Sequence, residues 1–189
     1  MFAQTAILVG PSPHLEGMGL GKSIDNMGYV ARMNNSFEIQ NFKDYGHRTD
    51  FLFVNKQWQE NNRDRIREVQ YRFGVQNVFL KGRTMTSQYI RPDGFEFSGT
   101  KPNMGVYVAI NLWLTGFSKV FVTGFSFYQN HPFYVKEHYE NQEGMILEGE
   151  SHPQSDTVKD FQKLIDLGIV VLWPDTLDFF NKAKEKYNI

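Results

Sequence analysis

The sequence predicts an α/β fold: a Rossmann-like, doubly wound, mainly parallel sheet with a small lid segment. Three observations carry that prediction. Short apolar runs of strand length recur along the chain, several closing on Gly, Pro or Asn. Longer segments with apolar side chains at helical spacing lie between them. One stretch, 128–151, is polar, aromatic and aperiodic, too long for an ordinary connection and of the length that lids have.

Thr5–Val9 is an apolar run stopped by Gly10-Pro11-Ser12-Pro13, a strand followed by a tight turn. Tyr29–Met33 and Asp50–Asn55 read as the second and third strands. Gln59–Phe73 places Ile66, Val69, Gln70 and Phe73 on one side and many charges on the other, a surface helix. Val75–Leu80 is a fourth strand. Asn103–Leu114 is mostly apolar and runs up to Gly116; its length favours a buried helix over a strand. Lys119–Thr123 is then a strand, Ser155–Leu167 an amphipathic helix stopped by Gly168, and Ile169–Trp173 a last strand before Pro174. Asp175–Ile189 is an amphipathic helix with late basic residues. That pattern admits a peripheral membrane contact, but three apolar positions and a basic last turn fit a docked terminal helix better.

The chain has 189 residues, a formal net charge of −1 and no cysteine. The length fits one domain, 1–189, containing the 128–151 lid. A chain of this size buries about 70% of its unfolded surface, so its core needs no staples. Without cysteine there are no disulfides, thiolate metal sites or thiol nucleophiles. A balanced charge exerts no global pull on nucleic acid. The N-terminus lacks a basic region before its short apolar run, and no run reaches the ~18 residues of a membrane helix. Together these give the expectation of a cytoplasmic protein.

Ligands of open parallel sheets bind beyond the carboxyl ends of the strands. The segments expected there are Gly10–Pro13, Arg32–Asn35, Asn55 and Gly124–Tyr128, with the 99–105 loop joining them if its helix N-terminus points inward. Gly17-Met18-Gly19-Leu20-Gly21-Lys22-Ser23 mimics a phosphate loop, but Glu16 stands where the first glycine is needed. A turn before a helix is the better reading. Of the five histidines, His138 and His152 sit in or beside the lid and are the candidates for proton transfer. No zinc-type histidine spacing and no Asp-x-Asp pair occurs, so no metal site is expected. A phosphate would be neutralised by hydroxyls, backbone N–H groups and a helix end.

Five motifs in order resemble the CMP-sialic-acid-dependent sialyltransferases, most closely the bacterial glycosyltransferase family 42, with similarity to the animal-type family 29. Val9-Gly10-Pro11-Ser12 is similar to the N-G-P-S turn, with Val9 in place of Asn. Arg32-Met33-Asn34 resembles the R-x-N that reaches the nucleotide, and Phe53-Val54-Asn55 the aromatic strand ending in Asn. Gly105-Val106-Tyr107 through Val122–Asn130 is similar to the S-G-V-Y helix and the G-x-D-F-Y-Q-N run, with Met104 for Ser and Ser126 for Asp. Ser151–Asp156 resembles the H-S-x-x-T-D segment that carries the general base. The resemblance covers about 1–55 and 100–180.

The resemblance implies a GT-A-variant sialyltransferase fold and an inverting, metal-independent transfer of sialic acid from CMP-sialic acid to a glycan hydroxyl, with no cofactor. It implies His152 as base, Tyr128 and Tyr134 as donors to the leaving phosphate, and His138 near the phosphate or acceptor. Gly10, Ser12, Asn34, Asn55, Asn103 and Gly105 would hold the donor. Homo-oligomers are common in the family. Two alternatives stay open: another CMP-activated keto-sugar such as Kdo as donor, or a non-catalytic nucleotide- or glycan-binding module.

Overall fold

The computed structural model describes residues 4–55, 58, 68–71, 74–75, 77–81, 92–99, 102–129 and 153–189. Six strands form one sheet: β1 (Thr5–Val9), β2 (Tyr29–Met33), β3 (Phe51–Asn55), β4 (Asn77–Lys81), β5 (Lys119–Thr123) and β6 (Val170–Leu172). Their spatial order is β4-β3-β2-β1-β5-β6, and every neighbouring pair is parallel. The chain winds outward from β1 to β4, then crosses back to lay β5 on the other side of β1. The winding therefore reverses between β1 and β5, where such sheets open a crevice.

Both faces of the sheet are covered, which explains why its strands read as unbroken apolar runs. In β1, Ala6 and Leu8 join the core on one face while Ile7 and Val9 join the core on the other, and all four are fully buried. The helices α1 (Gly21–Asp25) and α2 (Phe42–Tyr45) contribute Ile24 and Tyr45 to the second core. The first core receives α3 (Met104–Leu114), α4 (Gln154–Asp166) and α5 (Pro174–Tyr187) through Val106, Ile110, Phe161, Leu164, Phe180 and Ala183. Aromatic rings bind this core together: Phe127 meets Phe161 edge-on at 5.2 Å and Phe180 at 5.0 Å.

The fold-class expectation is met, and most element bounds agree within a residue or two. Of the Gln59–Phe73 helix only 68–71 are among the described residues. The α1 helix opens within the Gly17–Ser23 segment, where a turn before a helix was expected; three short pieces were not anticipated: α2 and the 3₁₀ turns Pro13–Leu15 and Asn34–Glu38. Each is five residues or fewer, below the window in which helical periodicity can be seen. The α5 helix packs inward with Phe180 2% exposed and Ala183 fully buried. No described helix is long and apolar enough to cross a membrane.

Candidate functional site

A crevice of about 550 Å³, solvent-open space included, lies at the carboxyl edge of the sheet beside the winding reversal. Pro11 and Ser12 after β1, Met33 and Asn34 at the end of β2, and Gly124–Tyr128 after β5 form its walls, with Asn103, Met104 and Thr157 at the starts of α3 and α4. Among the described residues the lining holds no Lys, Arg, Asp or Glu, so neutral polar groups and backbone must do the recognising.

Close backbone approach shapes the crevice. The Gly10 N–H donates to the Thr123 carbonyl at 2.8 Å, and a Cβ on Gly10 would overlap the Gly124 carbonyl oxygen. Gly124 returns the constraint: its φ is +75°, and a Cβ there would press on the Gly10 carbonyl. The loop beyond it holds Phe127 and Tyr128 at φ +47° and +59°, two successive left-handed residues that are not glycine. Such a conformation persists only where surrounding contacts impose it. Here the Gln129 N–H donates to the Ser126 carbonyl at 2.9 Å, its side chain donates to the Phe127 carbonyl at 2.8 Å, and the Phe127 ring is buried.

Ser12 is held from three sides. Its N–H donates to the Gly124 carbonyl at 3.1 Å, its carbonyl accepts from the Tyr45 hydroxyl at 2.8 Å, and its Oγ lies 2.9 Å from His14 Nδ1. The other imidazole nitrogen, Nε2, lies 3.0 Å from Asp175 Oδ2. Asp175 also accepts from Thr123 Oγ1 at 3.0 Å, the Gly124 N–H at 3.1 Å and Thr176 Oγ1 at 2.8 Å. Burial raises its affinity for a proton, but the bonds from His14, Gly124, Thr176 and Thr123 outweigh that, and its carboxyl sits below the usual carboxylate range.

The expected donor-binding residues divide. Ser12, Asn34 and Asn103 line the crevice together with Tyr128; Gly10 and Gly105 shape it from behind, and Asn55 lies outside it. Asn34, at φ +49°, turns its Oδ1 to accept from the Asn55 N–H at 3.1 Å, while Asn55 Oδ1 accepts from the Trp58 N–H at 2.7 Å. Asn103 caps α3: Oδ1 accepts from the Gly105 N–H at 2.7 Å, and Nδ2 donates to the Tyr128 hydroxyl oxygen at 2.9 Å. The Gly105 amide, expected beside the donor sugar, is thus spent on the cap. A Cβ on Gly105 would strike the Phe125 ring, so this glycine serves packing.

His152, Tyr134, His138 and the 130–151 part of the lid lie outside the described residues. Arg32 does not line the crevice. It is 2% exposed, and its guanidinium donates to the Tyr45, Gly46 and Arg48 carbonyls and to Thr49 Oγ1. Burial brings its pKa down to about 10, with Asp25 opposing, so it stays charged at neutral pH. It clamps the segment that positions Tyr45, and Tyr45 in turn holds Ser12. The Gly17–Ser23 segment is the turn it was expected to be: the Gly17 and Gly19 N–H groups donate to Asp44 at 2.8 and 2.7 Å, so an internal carboxylate occupies that nest.

Sequence reasoning missed His14, Asp175 and Thr157. The place of His14 two residues after the predicted turn serine, Ser12, is a usable signal for it. Asp175 sits 161 positions from His14, and no local pattern joins them.

A parallel sheet with a crevice at its winding reversal is the arrangement of nucleotide-binding α/β proteins. Comparison with known proteins narrows that class. The model of glycosyltransferase family 29 (sialyltransferase) matches residues 3–91, the part that carries the first three motifs. The fold is similar to that of the monofunctional α-2,3-sialyltransferase Cst-I from Campylobacter jejuni, with TM-score 0.66 and 14% identity over 90% of this chain and 74% of that one. CstII from the same organism, in complex with cytidine 5′-monophosphate, gives TM-score 0.62 and 13% identity over 90% and 79%. A mammalian sialyltransferase gives TM-score 0.54 and 14% identity over 90% and 69%. No curated protein matches by sequence. The family match over residues 3–91 and the fold agree with the resemblance read from the motifs: the chain is similar to sialyltransferases in both.

Proposed function

We propose that the protein transfers sialic acid from CMP-sialic acid to a glycan hydroxyl, with inversion and without a metal ion. The observation that carries this reading is the crevice itself: Ser12, Asn34, Asn103 and Tyr128, drawn from four separate segments, converge at the winding reversal of a sialyltransferase-type sheet. Structures of that fold include CstII bound to CMP and CstII bound to a trisaccharide acceptor and CMP.

In this reading CMP occupies the crevice. Tyr128, whose hydroxyl oxygen accepts from Asn103 Nδ2 at 2.9 Å at the crevice wall, serves as a donor to the leaving phosphate. Tyr134 supplies a second such donor. As the bond from the sugar's anomeric carbon to phosphate breaks, these donors meet charge where it develops. The acceptor hydroxyl attacks the opposite face, and His152 takes its proton. His138 lies near the phosphate or acceptor, and the 128–151 segment covers the donor against water. A homo-oligomer and a cytoplasmic location complete the reading.

The test is release of CMP from CMP-sialic acid in the presence of a sialyl acceptor and EDTA. Turnover that persists in EDTA and falls at least ~100-fold in His152→Ala, with CMP binding retained, supports the assignment. Full activity in that variant, or strict metal dependence, contradicts it. Turnover of CMP-Kdo in place of CMP-sialic acid points to the other keto-sugar, and CMP binding without turnover of either donor points to a binding module.

A further inference from the structure

Ser12, His14 and Asp175 form a connected line: Oγ to Nδ1 at 2.9 Å, then Nε2 to Oδ2 at 3.0 Å. The line is buried, with the His14 and Asp175 side chains 6% and 1% exposed and Ser12 2% exposed. It touches the crevice only at Ser12. Three such residues invite comparison with a serine nucleophile, but the turn is wrong for that chemistry. Pro11 and Pro13 have no N–H, and the Ser12 N–H is spent on the Gly124 carbonyl, so the turn lacks the backbone donors an oxyanion would need.

The same bonds suit a different task. The Ser12 N–H and carbonyl are both committed, so its hydroxyl is the polar group left for a ligand. Asp175 is held ionised by its four donors and can only accept, so Nε2 carries a proton. In the neutral imidazole Nδ1 then carries the lone pair and accepts the Ser12 proton. With its proton given to Nδ1, the hydroxyl of Ser12, a residue of the crevice wall, can only accept from a ligand.

We propose that His14, oriented by Asp175, is a positioning residue that fixes Ser12 as a hydrogen-bond acceptor and so selects a nucleotide bearing an N–H or O–H donor at that point. This rests on the CMP reading above and deepens it. The donor is either the exocyclic amine of cytosine or a ribose hydroxyl. UMP replaces the amine by a carbonyl, and 2′-deoxy-CMP lacks the hydroxyl, so the two nucleotides separate the sources.

Two measurements test the relay. The first needs no ligand: ring ¹⁵N spectra at pH 8, with His14 assigned by its loss in His14→Phe. Nδ1 is expected as the unprotonated nitrogen, moving in Ser12→Ala while Nε2 stays. A protonated Nδ1 overturns the proposal. The second is calorimetric titration with CMP, UMP and 2′-deoxy-CMP. Wild type is expected to favour CMP by ~10-fold or more over one of the other two, the scale of one buried hydrogen bond. That ratio drops below ~3-fold in Ser12→Ala and His14→Phe and recovers in part in His14→Gln, whose amide oxygen can accept the Ser12 proton. Should His14→Phe not fold, His14→Gln against Ser12→Ala carries the comparison. Equal affinity for all three nucleotides in wild type, or a ratio unchanged in the variants, overturns the proposal. No binding of CMP at all overturns the functional reading and this selection with it, while the ring spectrum still judges the relay by itself.

Discussion

Asn103 serves two neighbours with one amide. Its oxygen closes the first turn of α3 on the Gly105 N–H, and that bond forces the NH₂ toward Tyr128. Asn103→Ala is expected to lower stability by about 1 kcal/mol, the value of a helix cap, measured by urea unfolding. It should also weaken turnover of CMP-sialic acid through KM and kcat together, because Tyr128 loses the donor that orients it. Asn103→Asp keeps the cap and should recover most of the stability but not the activity. Gly10 is a sharper case. Its Cβ would land on a backbone carbonyl, which cannot move as a flexible side chain can. Gly10→Ala is expected to destabilise by about 2–3 kcal/mol, with a matching drop in the denaturant midpoint at constant m-value.

At the scale of elements, two carboxylates tie pieces of chain that carry little periodic pattern of their own. Asp44 gathers the Gly17–Gly19 turn and Asn41 Nδ2, and the Gly17 N–H is the main cause of its lowered proton affinity. Asp175 pins the first turn of α5 to the Pro13–Leu15 turn that follows β1 and to the end of β5. Asp175→Ala strands two buried hydroxyls, a backbone N–H and an imidazole, and is expected to cost about 2–3 kcal/mol of unfolding free energy. It should also free the Ser12 turn, read as faster hydrogen exchange at the Gly10 and Ser12 amides than in the wild type.

For the whole molecule, these carboxylates set a pH dependence. Asp44 and Asp175 both bind protons less readily folded than unfolded. Their contribution is therefore full above the unfolded carboxylate pKa near 4 and is lost as pH falls below it. Asp160 works in the opposite sense: burial raises its pKa despite bonds from the Ser98 segment, so its protonation favours the folded state. Urea midpoints measured from pH 7 down to pH 3 should fall chiefly below about pH 4, and Asp44→Asn should flatten that fall while starting from a lower midpoint. A midpoint that stays level to pH 3 contradicts this account.

Much of the fold was legible in the chain because it is carried by local pattern. Runs such as Thr5–Val9 and Lys119–Thr123 are apolar on both faces, and their alternation with helical segments implies a parallel sheet. Gly10, Ser12 and Asn34 at strand ends, and Asn103 at a helix start, could be read as candidates for the crevice, since a ligand crevice forms there in such sheets; that Asn103 caps its helix was not legible. What the chain could not reveal is how each polar group spends its hydrogen bonds. Arg32 looked like a ligand contact and instead holds backbone carbonyls; the Gly105 amide looked available and is taken by Asn103; Asn55 caps its own loop.

Periodicity, glycine placement and turn chemistry thus decided by themselves that this protein is a parallel α/β sheet, and they pointed to the strand ends after β1, β2, β3 and β5, of which those after β1, β2 and β5 line the crevice. Only the tertiary structure decided that His14 and Asp175, 161 positions apart, stand behind Ser12. The reason is physical: a strand or turn is chosen by interactions among near neighbours, whereas the partner of a buried polar atom is chosen by whichever distant segment packing delivers to it.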